Sequence, residues 1–136
     1  MPDLHPFVVH FPVALLTFGV SADLLGIVRR NVTAAAVGWW SQVAGTAGVL
    51  AGIASGLAAR ERIAGQVMPA QLETHEQLAF LTAAAFTALA IWRAGKRGKI
   101  PSHLYTGFLL ASVLILWATA WYGGELVYRF GVGVAR

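Results

Sequence analysis

The chain has 136 residues, of which 57% are hydrophobic and only 12% are charged, and its formal net charge is +4. A soluble protein of this size cannot bury so many apolar side chains, whereas a lipid bilayer accepts them on the outer surface of every helix. The sequence has no cysteine, which excludes covalently attached haem, thiolate-bound iron–sulfur clusters, thiolate zinc sites and disulfides.

Four apolar segments follow one another along the chain, at residues 7–28, 37–59, 75–93 and 103–123. Each has about 20 residues, the length of an α-helix that crosses the hydrocarbon core of a bilayer. Because the connections are short, helices that are neighbours in sequence should be antiparallel. We therefore predict an all-α fold, an integral membrane four-helix bundle with antiparallel up-down topology, forming a single domain over residues 1–136.

Local sequence signals predict where some of these helices begin. Thr74 and Gln77 fit the S/T-x-x-E/Q capping box, which predicts that the third helix starts at His75. Ser102, directly after a proline, is a suitable N-cap for the fourth helix. Pro12 lies in the first turns of the first helix, where it removes one backbone hydrogen bond.

The basic residues predict the orientation in the membrane. They form short clusters between apolar segments rather than the continuous stripe of a nucleic-acid-binding protein, so the expected partner is the lipid bilayer and no nucleic acid. The connections after the first and third segments carry the larger group, Arg29, Arg30, Arg93, Lys96, Arg97 and Lys99. We assign this side to the cytoplasm, which places both termini outside the cell membrane and predicts a multi-pass membrane protein.

Small residues recur along the second segment at steps of three and four: Gly38, Ser41, Gly45, Gly48, Gly52 and Ser55. Such a stripe lets another helix approach the backbone closely, because helix association in lipid depends on contact. A flat cofactor is the second interpretation, and in that case Gly45 and Gly48 would lie against it.

Three histidines fall at the predicted outer end of the bundle, namely His5, His10 and His75. His10 shares a helix face with Ala14, Thr17 and Ser21, and His75 shares one with Ala79, Thr82 and Phe86. We therefore expect His10 and His75 to face the bundle interior and to act as the two axial ligands of a b-type haem. The alternative is that they only anchor the helices at the membrane interface.

Two carboxylates extend this hypothesis. Glu125 follows two glycines near the end of the fourth segment, and it could orient an imidazole or join His5, His10 and His75 in a non-haem site for copper, zinc or iron. An ion pair with Arg129 is the alternative for Glu125. Asp23 lies near the cytoplasmic end of the first segment, where we expect it to pair with Arg29 or Arg30.

Two motifs carry a family resemblance: the opening His5-Pro6-Phe7-Val8-Val9-His10-Phe11-Pro12 and the closing Gly123-Gly124-Glu125-Leu126-Val127-Tyr128. Together with His75 they resemble the bacterial DUF2231 family of four-helix membrane proteins over nearly the whole chain. The resemblance implies a protein of the bacterial inner membrane, in which the predicted outer termini are periplasmic. Members of that family are sometimes joined to cytochrome c modules, which implies electron transfer. The family pattern usually has histidine where this chain has Phe130, so a ligand that such a histidine supplies would be lost here.

The leading functional hypothesis is a haem b electron-transfer subunit that works between a periplasmic partner, such as cytochrome c, and a quinone or another redox subunit. The alternatives are a non-haem metal-binding protein and a structural subunit of a larger complex without a cofactor, and oligomerisation stays open. The sequence has no glycine-rich phosphate loop, no H-E-x-x-H zinc site and no serine nucleophile elbow. We therefore predict no catalytic residues and no self-contained enzyme.

Overall fold

Four α-helices make up the computed structural model of this protein, which describes residues 5–62, 69–98 and 102–132. Within these residues there is no strand, and every helix is long and apolar enough to cross a membrane. The predicted all-helical fold, with four helices long and apolar enough to span a membrane, is confirmed. The helices are α1 (His5–Arg29), α2 (Val32–Arg62), α3 (Ala70–Gly95) and α4 (His103–Tyr128).

The helices form a ring in which each contacts two neighbours. α1 packs on α2 and α4, and α3 packs on α4 and α2, whereas the described backbones of α1 and α3 lie farther apart, diagonally across the bundle. α1 and α2 are antiparallel, since Leu16 lies against Gly45 whereas Pro12 lies against Gly48. The diagonal helices α1 and α3 run in the same direction, so their first turns share one end of the bundle and their last turns share the other.

The closest helix contact lies between α1 and α2, and it uses the small-residue stripe. A Cβ atom added at Gly45 would lie 2.6 Å from Cγ of Leu16, and one added at Gly48 would lie 3.1 Å from Cβ of Pro12. Real Cβ atoms essentially never lie as close as 2.6 Å to another atom and seldom as close as 3.1 Å, so the absent side chains let α1 pack here. Helix packing therefore accounts for Gly45 and Gly48, and both face α1.

Two helix starts were predicted, and the structure confirms one of them. Ser102 caps α4, with its side-chain oxygen accepting a hydrogen bond from the Tyr105 amide at 3.3 Å. The predicted start of α3 at His75 is wrong: the helix begins at Ala70, Pro69 is its N-cap residue, and the Thr74 segment lies inside the helix. The apolar segment marks only the part of a helix that lipid can surround, and the polar first turn of α3 continues beyond it.

The core of the bundle is apolar and lies between all four helices. Large apolar side chains also cover the outside, including the exposed Phe18, Leu114 and Trp121. Such a surface is expected of a membrane protein that contacts the lipid bilayer directly. The buried cluster consists of Leu16, Val20, Val49, Ala83, Phe86, Leu89, Tyr105, Leu109, Val113 and Leu116.

Candidate functional site

Two histidines from diagonal helices meet at the end of the bundle where α1 and α3 begin. The ring centroids of His5 and His75 lie 6.3 Å apart, and the planes of the two imidazoles differ by 75°. Both side chains are half-buried. The parallel course of α1 and α3 brings together two residues that are far apart in the sequence.

Each imidazole packs against a glycine of a neighbouring helix. A Cβ atom added at Gly56 of α2 would lie 3.0 Å from Cε1 of His5, and one added at Gly123 of α4 would lie 2.9 Å from Cε1 of His75. The two rings therefore occupy space that an alanine at either position would take. This contact explains why glycines occur near the ends of α2 and α4, at the level of the two rings.

Hydrogen bonds fix which ring nitrogen carries the proton. Nδ1 of His75 lies 2.9 Å from the carbonyl oxygen of Thr119, and because a carbonyl only accepts, this nitrogen is the donor. Nδ1 of His5 lies 2.8 Å from Oγ of Ser55, whose own hydroxyl donates to the Gly52 carbonyl at 2.9 Å. Nδ1 of His5 is then the donor as well. In the neutral form of both imidazoles, Nε2 is the nitrogen with the lone pair.

This tautomer is the one that a metal ligand needs. Metal-bound histidines almost always donate the other ring N–H to a carbonyl, a carboxylate or another polar group, which orients the ring and raises its basicity. Two imidazoles that share one metal ion through bonds of about 2 Å have ring centroids about 6 Å apart when they bind from opposite sides. The observed 6.3 Å between His5 and His75 fits that geometry.

His10 does not join this pair, and the prediction that it faces the bundle interior is wrong. Its side chain is exposed, and its Nδ1 lies 2.5 Å from the carbonyl oxygen of Pro6 in the preceding turn. Five residues separate His5 from His10, which turns their side chains about 140° apart on a helix. Because His5 faces inward, His10 must face outward.

Glu125 and its neighbours lie apart from the histidine pair. Oε1 of Glu125 is 3.5 Å from Nη1 of Arg129, which is the ion pair considered as its alternative role. The guanidinium of Arg129 also lies 5.9 Å from the ring centre of Phe130. Within the described residues no three side chains of His, Cys, Asp or Glu form a group that could hold a metal ion. The predicted cluster of His5, His10, His75 and Glu125 is not assembled.

The opposite end of the bundle contains a buried ion pair that the sequence analysis assigned differently. Oδ2 of Asp23 lies 2.5 Å from Nη1 of Arg93, and both side chains are 0% exposed. Gln42 also donates a hydrogen bond to Asp23. The predicted pairing of Asp23 with Arg29 or Arg30 is therefore wrong, because the carboxylate points into the bundle and α3 supplies its cation.

The guanidinium of Arg93 donates hydrogen bonds to two backbone carbonyls in addition to Asp23. Its Nε donates to the carbonyl oxygen of Gly98 and its Nη2 to that of Ala35, each at 2.7 Å. The guanidinium carbon also lies 5.4 Å from the ring centre of Trp39, within the range of a cation–π contact. All three guanidinium nitrogens of Arg93 therefore have hydrogen-bond partners inside the bundle.

A tyrosine completes the network, so that each helix contributes one polar side chain. The Tyr105 hydroxyl of α4 donates to Oε1 of Gln42 at 3.0 Å, and Gln42 links α2 to Asp23 of α1 and thereby to Arg93 of α3. Oδ1 of Asp23, which lies against Gly38, is the one buried side-chain polar atom without a hydrogen-bond partner in the described part of the chain. The network ties all four helices together at one end.

The fold and the two polar clusters define a four-helix membrane protein with paired histidines at one end and a buried ion pair at the other. Residues 2–136 match the family DUF2231, described as a predicted membrane protein. Since the match covers essentially the whole chain, the protein belongs to the DUF2231 family. No curated protein and no solved structure shows significant similarity to the chain.

Proposed function

We propose that this protein is a membrane electron-transfer subunit in which His5 and His75 are the two axial ligands of a b-type haem. The observation that carries the proposal is the pair itself: two half-buried imidazoles with centroids 6.3 Å apart, each with Nδ1 engaged as a donor. His5 takes the place that the sequence analysis gave to His10, because only His5 faces His75.

The number of protein donors favours haem over a bare metal ion. Structural and catalytic zinc sites take three or four protein ligands, and copper and non-haem iron sites usually take three or more. The described residues offer only two imidazoles at this place and no group of three metal-binding side chains. A porphyrin supplies four nitrogens of its own, so a b-type haem needs only the two axial ligands that His5 and His75 provide.

Two axial histidines also favour electron transfer over catalysis. An iron with four porphyrin nitrogens and two imidazoles has no open position for a substrate or oxygen, so its chemistry is the gain and loss of one electron. Ser55 and the Thr119 carbonyl would hold the rings and tune the iron through the Nδ1–H hydrogen bonds. Since the cation count predicts a periplasmic location for this end, the proposed electron partner is a periplasmic redox protein such as a cytochrome c.

The test is the visible spectrum of protein purified in detergent from haem-sufficient cells, first oxidised and then reduced with dithionite. We expect a Soret band and, after reduction, an α band. Both bands should be lost in His5→Ala and His75→Ala. They should persist in His10→Ala and His103→Ala, which remove exposed imidazoles elsewhere on the molecule.

Three results would contradict the proposal. One is a colourless wild-type protein under these conditions. Another is a spectrum that depends on His10 and not on His5. The third is a stoichiometric amount of copper or zinc without haem in elemental analysis, which would assign the pair to a non-haem metal site.

A further inference from the structure

A groove of about 810 Å³ lies on the outer surface of α1 and α2, near the end that holds His5 and His75. Phe7 and Phe11 of α1 line it together with Gly48 and Ala51 of α2. Among the described residues that line the groove, His10 alone has a polar side chain. The two phenylalanines are 82% and 67% exposed. The volume of the groove is within the range of pockets that hold small organic ligands, about 300–1,000 Å³.

The ring nitrogen Nε2 of His10 is a hydrogen-bond acceptor. The carbonyl of Pro6 can only accept, so Nδ1 of His10 is the donor in their 2.5 Å hydrogen bond and Nε2 carries the lone pair. A ligand that complements both features of this groove is apolar enough to reach it from the bilayer and carries a hydrogen-bond donor for Nε2 of His10. Lipid acyl chains and quinones have no such donor, whereas a quinol has hydroxyl groups on a flat ring.

We propose that this groove binds the head group of a membrane quinol, with one hydroxyl donating a hydrogen bond to Nε2 of His10. Phe7 and Phe11 lie one helical turn apart on the same face of α1, where their rings can contact the flat ring of the quinol. Gly48 and Ala51 leave room for it on the α2 side.

The role of the quinol as an electron donor rests on the haem function proposed above, whereas the binding of the quinol does not. Five residues separate His10 from His5, which corresponds to about 7.5 Å along the helix axis. A quinol that becomes a quinone releases two electrons and two protons. The proposed haem would supply the one-electron acceptor for each electron in turn. Nε2 of His10 would accept the proton of the bound hydroxyl and release it to water, and the second hydroxyl would lose its proton directly to water.

Equilibrium binding of a short-chain benzoquinol to the full protein in nanodiscs tests the proposal, under anaerobic conditions that keep the quinol reduced. Its dimethyl ether, which has the same ring but no hydroxyl, serves as the matched ligand. His10→Phe keeps an aromatic ring but removes the lone pair, Ala51→Phe fills the groove at an exposed position, and His103→Ala is the control. Losing the hydrogen bond should weaken quinol binding by about tenfold in His10→Phe.

The expected pattern is specific. The quinol should bind more tightly than its dimethyl ether to the wild type, His10→Phe should abolish that difference, and Ala51→Phe should weaken both ligands. Equal affinity for quinol and ether in the wild type would overturn the proposal in favour of plain lipophilic binding. A dimer that Ala51→Phe converts to a monomer, with quinol affinity unchanged, would assign the groove to a second copy of the chain.

One further variant separates this inference from the proposed function. His75→Ala removes a haem ligand and leaves the groove intact, so it should lose the Soret band and still bind the quinol. If the wild type is colourless but binds quinol through His10, the haem proposal fails alone. If the haem bands are present but His10→Phe binds quinol as the wild type does, the groove proposal fails alone.

Discussion

The two ends of the bundle use the same pair of helices in opposite ways. At one end, Asp23 of α1 and Arg93 of α3 form an ion pair that is sealed from solvent and surrounded by hydrogen bonds. At the other end, His5 of α1 and His75 of α3 are half-buried, and the Nδ1 atom of each forms a hydrogen bond with a neighbouring helix. Every nitrogen of the Arg93 guanidinium has a hydrogen-bond partner within the protein, whereas the two imidazoles have the ring spacing that we propose for a pair of haem ligands. We therefore expect substitutions in the ion pair to lower the free energy of unfolding, and substitutions in the histidine pair to lower the affinity for haem.

Breaking the ion pair should give the largest loss of stability. Arg93→Met leaves the Asp23 carboxylate buried without its cation, which should lower the free energy of unfolding by about 3–5 kcal/mol. Denaturant-induced unfolding of the protein in mixed micelles, followed by far-UV circular dichroism, measures this loss. Arg97→Met removes an exposed arginine on the same side and should change stability by less than about 0.5 kcal/mol.

The double variant Asp23→Leu with Arg93→Met sharpens this test. It removes both charges and leaves apolar side chains, so it should recover most of the stability that Arg93→Met loses. A double variant as unstable as the single one would mean that the arginine stabilises the bundle mainly through Ala35, Gly98 and Trp39.

The next largest effect should come from the close approach of α1 and α2 beside the ion pair. A methyl group at Gly38 would meet the Asp23 carboxylate and would lie 2.9 Å from the Gly19 carbonyl oxygen. Gly38→Ala should therefore lower the free energy of unfolding by about 1–3 kcal/mol, measured in the same way. Gly107→Ala is the matched control on α4: nothing lies within 4 Å of its added Cβ, so this variant should not be destabilised.

Tyr105→Phe should have a smaller effect at the same end. It removes the hydroxyl that donates to Oε1 of Gln42 and keeps the ring in place against Trp92, at 5.7 Å between ring centroids. Because the Gln42 oxygen is buried, losing its donor should reduce stability by about 1–2 kcal/mol. An unchanged unfolding curve would show that the tyrosine hydroxyl contributes nothing to the network.

The comparison of the two ends also shows how far the sequence could lead. The four helices were predictable because a span of about 20 apolar residues is a direct consequence of bilayer thickness. The partner of Asp23 was not predictable, because Arg93 lies 70 residues away in the sequence. It stands at the end of an apolar segment, where a basic residue normally flanks the membrane. A polar residue on each of two other apolar segments, Gln42 and Tyr105, was the available signal for a buried network.

The pairing of His5 with His75 was not predicted because the sequence did not reveal which side of the first helix faces the bundle interior. The sequence indicated correctly that imidazoles from the first and third helices share one end, but the choice between His5 and His10 depends on which side of α1 faces inward. The small-residue face through His10 suggested that side, whereas the α1 residues that pack against α2, such as Pro12 and Leu16, lie on another. His5 precedes the apolar segment, so the apolar pattern assigned it to no helix face.

The smallest effect on stability should come from Ser55, and it separates binding from folding most directly. Ser55→Ala removes the oxygen that accepts from Nδ1 of His5, so the His5 ring loses its orientation while its Nε2 remains. Loss of such a supporting hydrogen bond typically weakens metal binding by about 10- to 100-fold. Ser55 is only half-buried, so its free energy of unfolding without haem should fall by less than about 1 kcal/mol. Haem titration of the haem-free protein gives the affinity, and Ser41→Ala on the same helix, which has no hydrogen bond to either histidine, should titrate as the wild type does. Equal haem affinity in Ser55→Ala and Ser41→Ala would mean that the iron does not bind through His5.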